Sequence, residues 1–135
     1  MKLVVDSNIL FTYFWKESVT KELLLKEEFE LFAPEFALEE INKYKEEIQE
    51  KTSILEEEFK TAKTDIAIAV NFISTEEYKA FLKEALKIAP DPNDIDFFAL
   101  ALKLKISIWS NDKKLKEQKL VRVYTTEEIV NLLIL

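Results

Sequence analysis

Five short apolar runs recur along this chain, in KLVVD, FELFA, NFIS, ISIWS and VRVYT, and the stretches between them carry helical periodicity. Strands that alternate with helices imply a parallel sheet with helices on both faces. The expected architecture is a three-layer α/β/α domain over residues 1–135, with a parallel sheet of about five strands. A chain of this length is one domain's worth and can bury a single core.

The helical stretches can be placed from the same pattern. SNILFTYFW offers a hydroxyl and an amide at a helix start, and a second helix is expected over residues 19–28. Pro34 suits a first helical position, where its missing N–H costs nothing, and the helix it opens should run to about residue 50. SILEEEFKTAKTDIAIAV is a further helix. TEEYKAFLKEALKIA is an amphipathic one with Tyr78, Phe81, Leu82 and Ala85 on one face, broken by DPND. IDFFALALKL is apolar nearly all round and should be buried. DKKLKEQ reads as a basic helix, and TTEEIVNLLIL ends in an apolar stretch fit for core or for contact with a second copy in a homodimer. No apolar run approaches the roughly 18 residues that span a bilayer, and the N-terminus lacks a signal-peptide pattern, so a cytoplasmic protein is expected, with no membrane partner.

Absences narrow the chemistry. Without cysteine there are no disulfides, thiol nucleophiles or Cys-zinc sites. Without histidine the usual general base and the Ser-His-Asp triad are gone. Glycine is also missing, where a chain of this length would carry roughly nine. Walker loops and dinucleotide fingerprints need glycine for close approach to phosphate, so both are excluded. Carboxylates, hydroxyls, lysines and hard, oxygen-loving cations remain.

Charge is unevenly spread. Residues 1–102 hold 12 lysines against 22 acids, whereas residues 103–122 hold seven basic residues against two acids. The net charge of −7 argues against non-specific nucleic-acid binding by the whole surface. The local basic segment, with Lys113, Lys114, Lys116, Lys119 and Arg122, keeps a nucleic-acid path open beside Asp112.

Four acids stand where their surroundings aim a carboxylate at one place. Asp6 and Asp112 follow the runs LVV and ISIWS, and in an open α/β sheet the ligand crevice lies at the carboxyl ends of the strands. The plain role for Asp6 is a helix N-cap, but Ser7 and Asn8 are equally good caps, so the cap does not require it. Asp112 could equally be a first-turn acid favoured by the helix dipole. Glu40 and Glu39 separate by geometry. Ala37, Ile41, Tyr44 and Ile48 form one helical stripe; Glu40 lies about 70° from its centre and Glu39 about 170°. Glu39 should face water and pair with Lys43, and Glu40 should sit at the edge of the buried face. Asp94 is by itself an N-cap candidate, a role Asn93 or Asp91 could share. With Asp91 and Asp96, however, it puts three acids into DPNDID, more negative charge than capping needs.

In order, VVDSN, PEFALEEI, DPNDIDFFALALKL and WSND resemble the four motifs of the PIN-domain nucleases, and the likeness covers essentially the whole chain. The first is an apolar run followed by Asp, Ser/Thr and Asn, here Asp6, Ser7 and Asn8. The second has an acid before an aliphatic residue, which picks Glu40 over Glu39. The third sets Asp94 seven residues before Ala101, and the fourth sets Ser110 two before Asp112. The resemblance implies a sheet of order 3-2-1-4-5, with Asp6 and Asp112 flanking the switch point. It implies Mg²⁺ or Mn²⁺ held by Asp6, Asp94 and Asp112, with Glu40 completing the catalytic set and Asn8, Asp91, Asp96 and Ser110 in support. It also implies hydrolysis of RNA phosphodiesters by a metal-activated water. Many bacterial and archaeal members are VapC-like toxins paired with an antitoxin protein; others are solitary or act in RNA processing. Lys113, Lys114 and Lys116 would guide the RNA. Asp91 and Asp96 exceed the usual four acids, and the net charge is low for an RNA-binding enzyme.

Three other classes compete. A catalytically idle relative, serving as an RNA-binding or protein-interaction module, would usually have lost one of the acids. A phosphatase of the haloacid-dehalogenase type needs a second Asp where Asn8 stands. A response-regulator receiver needs adjacent acids before its first strand's end-loop and a lone acceptor Asp after its third strand, and NFISTEEY offers neither cleanly.

Overall fold

The computed structural model describes residues 1–15 and 19–134. β1 (Lys2–Val5) leads into α1 (Ser7–Thr12) and α2 (Val19–Leu24). β2 (Glu30–Pro34) is followed by α3 (Glu35–Lys43), α4 (Lys45–Thr52) and α5 (Glu56–Ala69). β3 (Val70–Ile73) precedes α6 (Thr75–Tyr78), α7 (Leu82–Ile88) and α8 (Ile95–Leu104), and β4 (Ser107–Trp109), β5 (Val123–Tyr124) and α9 (Thr126–Ile134) follow. The strands pair in parallel throughout, in the order β3-β2-β1-β4-β5. Helices flank this sheet in the three-layer arrangement expected of it.

Burial explains why β1 is central. Leu3, Val4 and Val5 have no exposed surface, as suits an unalternated apolar strand covered on both faces. α8 packs across β1, β2 and β4. Its Phe98, Ala99 and Leu100 are fully enclosed, so the helix read as apolar all round is a core helix. α3 and α5 rest against the β2–β3 side, burying Ala37, Ile41, Phe59 and Ile66. Each of the larger aliphatic side chains contributes about 1.5–3 kcal/mol by leaving water.

Several expected helices are shorter or broken. The helix expected from Pro34 to about residue 50 divides at Tyr44, whose φ of −99° and ψ of 17° interrupt it. Pro34 ends β2 and occupies the N-cap, one residue before the first helical position. The stretch over residues 75–89 is interrupted by a 3₁₀ turn, Lys79–Phe81, yet Tyr78 and Ala85 are fully buried as the common face required. The basic helix is a five-residue 3₁₀ turn, Lys113–Glu117. α9 buries Ile129 and exposes Leu132, Leu133 and Ile134, while Leu135 lies outside the described residues. With no glycine to end helices, Ser53 and Lys105 take the left-handed conformation there (φ 59° and 57°), at a cost of about 1–2 kcal/mol each. Among the described residues no helix is long and apolar enough to cross a membrane.

Candidate active site

The register of β1 on β4 sets Val5 opposite Trp109, so the next residues, Asp6 and Ser110, emerge side by side at the strand ends. Ser110 is fully buried, and its hydroxyl donates to Asp6 Oδ2. The same Ser110 Oγ accepts from the Asp112 backbone N–H at 3.0 Å. One hydroxyl thereby fixes the Asp6 carboxylate and the loop that carries Asp112. Asp6 Oδ1 accepts from the Ile9 N–H at 3.0 Å, which makes Asp6 the N-cap of α1. The cap does fall to Asp6, then, and not to Ser7 or Asn8. Ser7 is turned instead to Glu40, donating from Oγ to Oε1 at 2.9 Å.

Asp6, Glu40, Asp94 and Asp112 line one cleft of about 320 Å³, together with Ser7, Asn8 and Asp91. Four separate segments of chain supply the four acids. Glu39 is exposed and Glu40 half-buried, as the helical geometry required. The expected Glu39–Lys43 pair is absent among the described residues; Lys43 Nζ lies 5.4 Å from the centre of the Tyr44 ring. Asp94 stands at the N-cap of α8 without accepting a capping bond. Capping of the preceding 3₁₀ turn falls to Asp91, which accepts from the Asn93 N–H at 2.9 Å, so the Asp94 carboxylate is left to face the cleft.

Asp96 turns elsewhere. It accepts from the Tyr78 hydroxyl at 2.5 Å and is not part of the cleft wall. The two surplus acids therefore separate, Asp91 into the cleft and Asp96 onto a buried tyrosine. Ser7 and Tyr44 also belong to the cleft, though neither is a candidate site residue from sequence. Ser7 was legible beside Asp6 in VVDSN. Tyr44 belongs by sequence to an apolar stripe, but it stands at the break between α3 and α4 and lines the cleft.

Enclosure and mutual repulsion mark the site electrostatically. Burial pushes the Asp6 carboxyl up to about 6 against the hydrogen bonds from Ser110 and Ile9, with Asp112 adding to the rise. Partial burial raises Asp94 to about 6 as well, reinforced by the charges of Asp112, Asp91 and Asp6. Such a cluster favours whatever cation enters it. The donor set is all oxygen, which suits hard divalent ions. Among the described residues no three acids converge tightly enough to ligate one ion directly.

The basic segment divides its duties. Lys114 lines the cleft, while its backbone N–H donates to Asp112 Oδ1 at 3.0 Å. Lys116, expected among the RNA contacts, pairs with Glu128, holding that carboxyl down at about 2. The Arg122 guanidinium sits over the Tyr124 ring at 4.7 Å. Lys113 and Lys119 are exposed.

A family model described as "PIN domain" matches residues 4–133. Among solved structures, VapBC2 from Rickettsia felis, bound to a DNA fragment from its promoter, contains a similar chain at 18% identity and a TM-score of 0.61. The match covers 93% of this chain and 98% of that one. At that identity it speaks to the fold. No curated protein sequence matches.

Proposed function

The chain belongs to the PIN-domain family, and we propose from that premise that it is a metal-dependent endoribonuclease, acting in the cytoplasm as the toxin of a toxin–antitoxin pair. One observation carries the reading: acids from four separate segments line a single cleft at the carboxyl ends of β1 and β4. Asp6, Asp94 and Asp112 would hold Mg²⁺ or Mn²⁺ between them, one or two carboxylates directly and the rest through waters that the ion keeps. When bound, such an ion supplies an activated water and neutralises charge on the phosphodiester. Ser110 keeps Asp6 and the Asp112 loop in register through its two hydrogen bonds. Glu40, steadied by Ser7, orients a water at the other wall. Lys113 and Lys114 draw the RNA backbone toward a cleft whose acids would otherwise repel it. The toxin role, with an antitoxin as partner, is favoured by the likeness to a VapBC2 chain.

The test is cleavage of single-stranded RNA with Mg²⁺ or Mn²⁺ and with EDTA, paired with thermal melts under the same conditions. The reading expects cleavage only with metal, and a melting temperature raised by millimolar ion. Binding without cleavage in either ion would favour the idle RNA-binding module. Melts unmoved by both ions would refute the shared metal site.

A further inference from the structure

A second groove, of about 410 Å³, runs between α1 and α4 and shares Asn8, Phe11, Glu40 and Tyr44 with the acid cleft. The two adjoin at these shared residues. The walls beyond the shared residues are Trp15, Ile48 and the Glu47–Lys51 pair. Trp15 is 48% exposed although it is among the largest apolar side chains in the molecule. Its backbone is fixed at the end of α1 by the bond from its N–H to the Thr12 carbonyl, at 3.1 Å. Tyr44 is 37% exposed, with the Phe11 ring set at 79° to it and 6.2 Å away. Two aromatic rings thus stand partly open to solvent in this groove, and Tyr44 lines the acid cleft as well.

We propose that this groove is a nucleobase subsite, seating one unpaired base of the RNA next to the scissile phosphate by stacking on Trp15 and Tyr44. The inference rests on the ribonuclease reading for its class of ligand. Stacking on exposed aromatic rings is the sequence-tolerant way to hold single strands, since every base has a π-face. The volume lies within the range of small-ligand sites, about 300–1,000 Å³. Charge fits the same path. Lys114 stands in the acid cleft, where a cation can meet the phosphate chain, while Lys51 in the groove is paired with Glu47. An apolar protein segment fits less well, because it would bury the Glu40 carboxylate and the Glu47–Lys51 pair against carbon. A base carries polar edges that can meet those groups. A paired base could not offer its face, so the subsite selects single-stranded RNA.

Trp15 also supplies the probe. The only other tryptophan, Trp109, is fully buried, so contact quenching by a base reports on Trp15 alone. A short single-stranded oligoribonucleotide of mixed sequence, added in EDTA, is expected to quench this emission; the same strand annealed to its complement is not. Trp15→Ala should weaken single-strand binding on the order of tenfold, measured by anisotropy of a labelled strand, with Trp15→Phe within a few-fold of wild type. A strand with abasic positions should bind the wild-type protein more weakly by a similar factor, a readout that needs no variant to fold. Equal affinity for abasic and intact strands, or quenching by duplex as strong as by single strand, overturns the subsite. If wild type cleaves RNA while Trp15→Ala binds and cleaves as well, the subsite fails and the nuclease reading stands, leaving the groove to a protein partner. If Trp15-dependent binding occurs without any metal-dependent cleavage, the nuclease reading fails and the subsite stands.

Discussion

Replacing Asp94 by Asn should stabilise the metal-free protein, by an amount that depends on pH. The carboxyl is raised from 3.8 to about 6, chiefly by burial and then by Asp112, Asp91 and Asp6. A shift of about two units corresponds to roughly 3 kcal/mol at most. Asp94 is only half-buried, so solvent screening reduces this to about 1–2 kcal/mol. Because the raised group binds its proton more tightly in the folded state, folding takes up a proton between pH 3.8 and about 6. Wild-type stability therefore falls as pH climbs through that window, and Asp94→Asn escapes this loss. The substitution sacrifices no capping bond, since Asp94 makes none. In EDTA at pH 7.5 the variant should melt about 3–10 °C above wild type, with the difference closing toward pH 4. Thermal denaturation followed by circular dichroism across pH measures both curves. A difference independent of pH, or a variant that melts lower at pH 7.5, would refute the account of a self-repelling acid cleft.

Other substitutions separate roles within the site. Glu40→Gln should lower RNA cleavage about a hundredfold or more, whereas Glu39→Gln should be nearly silent; equal damage from both would defeat the helical-face assignment. Ser110→Ala removes a bond that holds the Asp6 carboxyl down, so it should push that group further up. The acid limb of the cleavage pH profile would then move to higher pH, and stability should fall by about 1–3 kcal/mol; an unmoved limb would mean that Asp6 does not govern it. Changing Lys113 and Lys114 together to Ala should flatten the slope of log affinity against log salt by about 1.4, with little change in Tm; an unchanged slope would place the RNA path on another face.

Much of this was legible because a few residues carry strong local signals. The unalternated apolar run of β1, the all-round apolar face of α8 and the acids after β1 and β4 gave the layers and the side of the sheet that carries the cleft. Glu40 was separable from Glu39 by angle alone. Losses came where tertiary contacts overrule local pattern. Nothing local distinguishes Asp91 from Asp96, because what turns Asp96 away is the hydroxyl of Tyr78, 18 residues earlier. Lys116 is diverted by Glu128, which approaches only because β5 lies beside β4. The helix break at Tyr44 follows no proline or glycine, and it is what opens both that ring and the groove beside it. At Asp6 one carboxylate takes two donors, Oδ1 capping α1 and Oδ2 meeting the Ser110 hydroxyl.

The most direct test of the central claim is single-turnover cleavage of single-stranded RNA by wild type and by Asp6→Asn, at saturating Mg²⁺ or Mn²⁺ and equal folded fraction. Asn keeps the shape and can still cap α1 through its Oδ1, but its Nδ2 cannot accept from the Ser110 hydroxyl and must donate to Ser110 Oγ instead, so the charge is lost and that one bond reverses. The account predicts that cleavage falls by orders of magnitude while the Asn variant still binds the strand and melts no lower than wild type in EDTA. Cleavage by Asp6→Asn within a few-fold of wild type would contradict it.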